Sequence, residues 1–260
     1  MSFFRIIIPN YNNEKWLDRC LYSVLGQSFR DFDLVFVDDV STDGSVRLAR
    51  DIIGGQGEVV QLYHKRWNGG ARNVGLEYFK DAKYTLFLDS DDWFADLHVL
   101  QDLHDFLVDE DYPACVRLPY SIVYDGDKHV DVMLDDDNAE KLVRSMFVAC
   151  WTLCVKSSLV VPFPENTLME DAARHIRQCD VIPYEVPVFT KPVVVYNKNN
   201  SNSCSAKRNM DAQGAKWKSS MYRFMADLLD LDLTHDYCRA RRDERAAQCL
   251  EHIRQGEYIQ

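Results

Sequence analysis

The sequence predicts an α/β protein: a mostly parallel sheet flanked by helices, with a mixed second half and a helical C-terminal tail. Three observations carry this. Short, continuously apolar runs stop at polar turns, stretches of helical period lie between them, and the alternation breaks down after Asp92. The 260 residues suit one main unit over 1–210, divided into halves at 1–95 and 96–210, with 211–260 as an appended extension.

Arg5-Ile6-Ile7-Ile8 ends at Pro9, as a strand buried on both faces does. A helix follows whose apolar positions Trp16, Leu17, Cys20, Leu21, Val24 and Leu25 form one stripe ending at Gly26. Leu34-Val35-Phe36-Val37, a loop over Asp38 to Gly44 and a helix from about Ser45 repeat the step. Asp43 stands where it either caps that helix or faces the strand ends. Val59 to Tyr63 reads as a third strand, Ala71 to Phe79 as a helix, and Tyr84 to Leu88 as a fourth strand, so the sheet is expected to be doubly wound and right-handed. Beyond Asp92, the β-like runs Cys115 to Tyr124 and His129 to Leu134 flank Asp125-Gly126, a hairpin dipeptide. Two helices are expected from about Ala212 to Gln255, the first with Trp217, Met221, Phe224, Met225, Leu228 and Leu229 on one side.

Hydrophobic residues at 47% and charged residues at 27% exclude a disordered chain. A net charge of −11 weighs against a general polyanion-binding surface. The eight cysteines form no CxxC pair and no leader precedes the first strand, so a cytoplasmic location is expected. No apolar run is long enough to span a bilayer.

In an open α/β sheet the ligand crevice lies at the carboxyl ends of the strands. That brings together Pro9-Asn10-Tyr11-Asn12, Asp38-Asp39-Val40-Ser41-Thr42-Asp43-Gly44 and Asp89-Ser90-Asp91-Asp92. Crowded carboxylates repel one another, whereas a hard divalent cation reverses the balance and binds phosphate oxygens as well. A metal with a nucleoside diphosphate is therefore the expected ligand. Three carboxylates in four residues exceed what helix capping needs.

The segments IIIPNYN (6–12), CLYSVLGQSF (20–29), LVFVDDVSTDGS (34–45), NGGARNVGL (68–76) and LFLDSDDWF (86–94), in this order, resemble family 2 of the inverting glycosyltransferases, which have the GT-A fold. CWTLCVKSSLV (150–160), FPENTLMEDAARHI (163–176) and VVYNKNNSNSCS (194–205) continue the resemblance more weakly. It implies a donor that is a nucleotide-diphosphate sugar, UDP-linked, and a single sugar moved to a hydroxyl of a saccharide-type acceptor. Pro9, Tyr11, Asn12 and Asp39 would then hold the nucleoside, with Tyr11 stacking on the base and Asp39 accepting from its ring nitrogen. Arg72 and Asn73 would face the diphosphate or sugar, although the short stretch between Asn68 and Arg72 departs from relatives and leaves Arg72 open.

Asp89, Ser90, Asp91 and Asp92 match a DxD-type motif in which one carboxylate contacts the ribose and another Mn2+ or Mg2+; the assignment among Asp89, Asp91 and Asp92 stays open. An inverting transfer also needs a base for the acceptor hydroxyl. Asp171, supported or replaced by Glu170, fits that role, and both also fit as helix-start acids. The loop Asn197 to Ser203 resembles a segment that closes over the diphosphate, with Lys198 as its phosphate contact.

Cys150 and Cys154 lack a histidine at ligand spacing and read as buried hydrophobes, and His175 is left as an acceptor contact. Arg239, Arg241, Arg242 and Arg245 form a basic cluster interleaved with acids. It keeps open a second acceptor, a hydroxylated base of DNA. A non-catalytic nucleotide-binding module is the third reading, whereas a dehydrogenase lacks its G-x-G-x-x-G after the first strand.

Overall fold

All seven residues of β1 (Phe4–Asn10) are buried in the computed structural model, as a strand covered on both faces requires. Residues 1–201 are described except 136, 146–148, 166 and 168, as are 214–255; the side chains of 214–221 and 252–255 lie outside the description. The parallel neighbours of β1 are β2 (Phe32–Asp38) and β4 (Tyr84–Phe87), and β3 (Glu58–Gln61) adds to β2 in the same sense. Two strands of the second half, β6 (Cys115–Arg117) and β9 (Leu153–Lys156), extend the sheet antiparallel, giving the order β3-β2-β1-β4-β9-β6. The sheet is thus mostly parallel.

The helices α1 (Glu14–Leu25), α2 (Ser45–Ile53) and α3 (Trp67–Leu76) connect the first four strands. The stripe of α1 buries Leu17, Cys20, Leu21 and Val24, and the helix ends at Gly26 as its apolar period demands. The start of α3 differs from the sequence expectation. It begins at Trp67 rather than near Ala71, because Gly69 and Gly70, poor helix formers, sit where a side chain has no room. A Cβ on Gly69 would collide with the Pro164 carbonyl oxygen and meet Glu170 Cβ at 3.2 Å. The third strand stops at Gln61, and Tyr63 is 91% exposed instead of ending a buried strand.

A second sheet, of order β5-β10-β7-β8, joins β5 (Trp93–Phe94), β7 (Tyr120–Tyr124), β8 (Lys128–Val132) and β10 (Val194–Asn197). The expected hairpin forms between β7 and β8, but its loop has three residues, 125–127, rather than the tight dipeptide turn expected; Asp125 and Gly126 take positive φ. The run from Cys115 to Tyr124 is split, however, between the two sheets. Pro119 lies between β6 and β7, where a ladder donor is missing.

The main core runs from Phe4 through the strands to Leu100 and Leu103 of α4 (Val99–Asp109) and to Trp151. The second core gathers α5 (Ala139–Arg144), α6 (Glu170–Val181), α7 (Gly214–Leu229) and α8 (Asp236–Gln255) around Leu142, Ile176, Phe224, Leu228, Cys238 and Cys249. The C-terminal helices therefore buttress α6. Asp180 accepts the backbone N–H groups of Thr234 and His235 at the start of α8. Leu229, expected on the buried side of α7, is 60% exposed. The side chains of Trp217 and Met221 lie outside the described residues, as does Cys204; the other seven cysteines are buried free thiols. Among the described residues no helix is long and apolar enough to cross a membrane.

Candidate active site

The loops after β1, β2 and β4 converge, and their short polar side chains clasp one another. Asn10 Nδ2 donates to Asp38 Oδ1 at 2.9 Å and Ser41 Oγ at 3.1 Å. Asp38 Oδ2 accepts Ser41 N at 2.9 Å, and Asn12 Oδ1 accepts Thr42 N at 2.7 Å. Asp43 does not choose between cap and loop: Oδ1 accepts Ser45 N at 3.1 Å and Oδ2 accepts Glu14 N at 3.0 Å. Asn12 and Val40 hold φ of 53° and 63°, left-handed backbone that costs a β-branched valine the more and persists where neighbours over-determine it.

At one end of the crevice Tyr11 is 44% exposed, which removes the reading of it as core filler. Pro9 lies inside β1 opposite Val37. The Asp39 side chain is 1% exposed; Oδ1 accepts Arg66 N at 2.7 Å, and Oδ2 lies 3.0 Å from Lys65 Nζ. The same ammonium sits 2.8 Å from the Tyr11 ring centroid. Lys65 was not singled out in the sequence, where a lone lysine after a strand carries no pattern.

The acidic loop divides its labour. Asp89 Oδ1 accepts Arg72 Nη2 at 2.6 Å. Ser90 is buried and accepts Asn13 Nδ2 at 2.9 Å. Asp91 Oδ2 accepts Asn200 Nδ2 at 2.7 Å; burial first, and then the Asp89 charge, push its carboxyl up to about 6. Asp92 turns away from this group. It is buried, accepts Asn197 N at 2.8 Å and a hydrogen bond from the Trp151 side chain, and burial drives its carboxyl well up. Among the described residues, no three His, Cys, Asp or Glu side chains form a metal cluster; Asp92 instead ties the loop to β10.

Arg72 is 1% exposed and sits within α3 rather than at a surface helix start. Its Nη1 reaches Glu170 Oε1 at 2.8 Å and Asp171 Oδ1 at 3.3 Å. The acidic pair from the start of α6 thus shares one guanidinium with Asp89. Burial works to lower the Arg72 pKa, but Asp171, Asp89 and Glu170 outweigh it and keep the side chain charged. Burial, opposed by Arg72 and reinforced by Glu170 and Asp89, raises the Asp171 carboxyl to about 7. Asn73 uses its amide on the segment before α6: Nδ2 donates to Phe163 O at 2.9 Å and Oδ1 accepts Phe163 N at 2.8 Å.

Lys198 is exposed, its Nζ 5.9 Å from the Tyr196 ring; Asn202 and Ser203 of the same loop lie outside the described residues. His175 is not available to an acceptor. It is 3% exposed, Nε2 donates to Leu142 O at 2.8 Å, and burial lowers its pKa to about 3. Sequence reasoning also missed Asn13 and Asn200, whose amides pair at 3.2 Å and bracket the acidic loop. Asn200 stands inside a segment that carried the resemblance and Asn13 just after one, but nothing in an asparagine announces a long-range partner.

A parallel half with an acidic loop, beside a second half that adds an acidic pair, is the arrangement that the GT-A resemblance implies. The family model described as "Glycosyl transferase family 2" matches residues 5–154, over half of the chain, and the chain belongs to that family. An uncharacterized glycosyltransferase of Haemophilus influenzae is 40% identical over 98 residues, which is 36% of this chain and 38% of that protein. The minor teichoic acid biosynthesis protein GgaA of Bacillus subtilis is 34% identical over 131 residues, 48% of this chain and 29% of that one. The matches span well under half the length of these curated relatives. Among solved structures, S. aureus TarS 1–349 in complex with UDP-GlcNAc superposes with a TM-score of 0.71 at 23% identity, covering 98% of this chain and 73% of that one. The mannosyltransferase PcManGT of Pyrobaculum calidifontis, in complex with GDP-Man and Mn2+, gives 0.63 at 16%, covering 98% and 74%. The GT-A fold read from the sequence therefore holds.

Proposed function

We propose that the chain moves one sugar from a UDP-linked donor, with inversion, to a hydroxyl of a saccharide-type acceptor. The observation that carries this is the Arg72 cluster, in which a donor-side carboxylate, Asp89, and a candidate base, Asp171, meet at one side chain although they come from opposite halves. The exposed Tyr11 ring offers a face for a base, and Asp39 a buried acceptor for a ring N–H; Asn12 holds the two loops that frame them. The bound UDP-GlcNAc and GDP-Man of the structural relatives support a nucleotide-sugar donor.

A divalent cation fits Asp91. The carboxyl is raised by burial and by Asp89 nearby, a disfavoured negative pair that a hard cation with oxygen ligands relieves; one or two carboxylates plus donor phosphates suffice for Mn2+ or Mg2+. When bound, such a cation neutralises charge on the departing diphosphate. Asp89 is left for the ribose or sugar, and Lys198 for a phosphate. Asp171 takes the proton of the acceptor hydroxyl as that oxygen bonds to the anomeric carbon, and the bond from that carbon to the diphosphate oxygen breaks. Glu170 keeps Arg72 in place beneath the base.

The DNA acceptor gains no support from the tail. Arg239 pairs with Asp236, Arg241 with Glu244 and Arg242 with Asp243, all on α8 itself. A panel of nucleotide sugars with manganese, read by diphosphate release, tests the proposal. Release from one donor, lost in Asp91→Asn and Asp171→Asn, supports the enzyme; absence of donor binding and release throughout leaves the non-catalytic module.

A further inference from the structure

We propose that Arg72 is a positioning residue for the transfer, a buried fork that holds the base Asp171 and the donor-side Asp89 at a set separation and keeps the two halves of the site in register. The inference rests on the function proposed above and goes beyond it, since the sequence placed Arg72 against the diphosphate or sugar.

Geometry separates the two roles. One end of the guanidinium, Nη2, is taken by Asp89 at 2.6 Å, and the other, Nη1, by Glu170 at 2.8 Å and Asp171 at 3.3 Å. At 1% exposure the side chain offers no open face to a donor. Its plane lies against Phe163, whose ring centroid is 5.1 Å from the guanidinium carbon, while Arg174 approaches the same ring at 4.5 Å. A planar fork can hold carboxylates in two directions at once, which a lysine ammonium cannot. Three acids share this guanidinium, so removing it leaves like charges facing one another in a largely buried place.

Asp171 faces Arg72 from α3, Asp89 from the loop after β4, and Glu170 and Arg174 on its own helix. Cys150, buried in the turn before β9, also lies near; burial raises its thiol well above the ordinary value, so it stays uncharged. Arg72 is thus the cation that reaches the base from the donor half. A displaced donor-side carboxylate would shift the fork, and a shifted fork moves the base.

The test uses the full chain, the donor identified by the diphosphate-release panel, and UDP with Mn2+ as the binding probe. Arg72→Met is expected to lower kcat about 10²-fold, the loss that a misplacement of about 1 Å brings. It should change UDP affinity far less and move the acid limb of the kcat–pH profile to higher pH, since the base loses its cation. Arg72→Lys should restore the position of that limb but not the full kcat. Glu170→Gln should move the limb the other way, to lower pH. If Arg72→Met fails to fold by thermal melting, the lysine and Glu170→Gln variants decide. UDP affinity falling in step with kcat/KM, with the pH profile unmoved, would overturn the proposal in favour of direct donor contact. Turnover that persists in Asp91→Asn and Asp171→Asn would instead sink the function on which it rests.

Discussion

The two halves of the molecule build their share of the site in different ways. In the donor half, three loops at the ends of parallel strands are bound to one another by Asn10, Asn12, Asp38, Ser41 and Asp43, so the site is a property of the sheet edge itself. In the second half, the acidic pair Glu170–Asp171 sits on one helix start, held by packing from behind and by Arg72 from across the crevice. The first arrangement is rigid through local polar contacts, the second through a distant core. Binding should accordingly depend on the donor half, and turnover on a side chain whose support lies elsewhere.

The sharpest way to break this comparison is Asp171→Asn. It should lower kcat by about 10²–10⁴, the usual worth of a general base, while calorimetry finds UDP binding intact. Loss of UDP binding together with kcat would merge the two halves into one unit. As the proposed base, Asp171 would work as a carboxylate with its pKa raised to about 7, so kcat should climb as pH rises through that value and be lost below it. A profile flat from about pH 5 to 9 would remove Asp171 as base.

On the donor side, Tyr11→Ala should weaken UDP binding by about 1–3 kcal/mol, the range for a base stacked on an aromatic ring. The melting temperature should not move, because the ring is exposed. Asp38→Ala should do the opposite. Asn10 and Ser41 lose their acceptor, and each buried donor left unpaired costs about 1–3 kcal/mol, read as a lower denaturation midpoint. The smallest effect is expected at the surface, where Lys80→Ala breaks an exposed i,i+3 pair with Glu77 and should shift stability by less than about 1 kcal/mol.

Much of the donor half was legible because its signals are local. Apolar runs ending at Pro9, Asp38 and Asp89 mark strand ends, and carboxylates after strands announce their chemistry without reference to the rest of the chain. The errors came where tertiary contact overrode propensity. Two glycines concealed the first turn of α3, and with it the burial of Arg72. Asp92 looked like its neighbours in the motif, yet a backbone N–H one hundred and five residues away claims it. Lys65, Asn13 and Asn200 were invisible for the same reason: their partners are set by folding, and no spacing encodes them. In the acceptor half the apolar run from Cys115 onward serves two sheets, a division that only Pro119 hinted at.

The glycine at position 69 has a consequence for how such a chain can be varied. There the backbone of α3 lies directly against the Pro164 carbonyl, with no side chain between the halves. Recombination between relatives is therefore constrained at this seam. A chimera that imports a new second half should keep glycine at position 69, because an alanine there should force the halves apart whatever segment is grafted. Acceptor specificity could then diversify only around a joint that this glycine keeps closed.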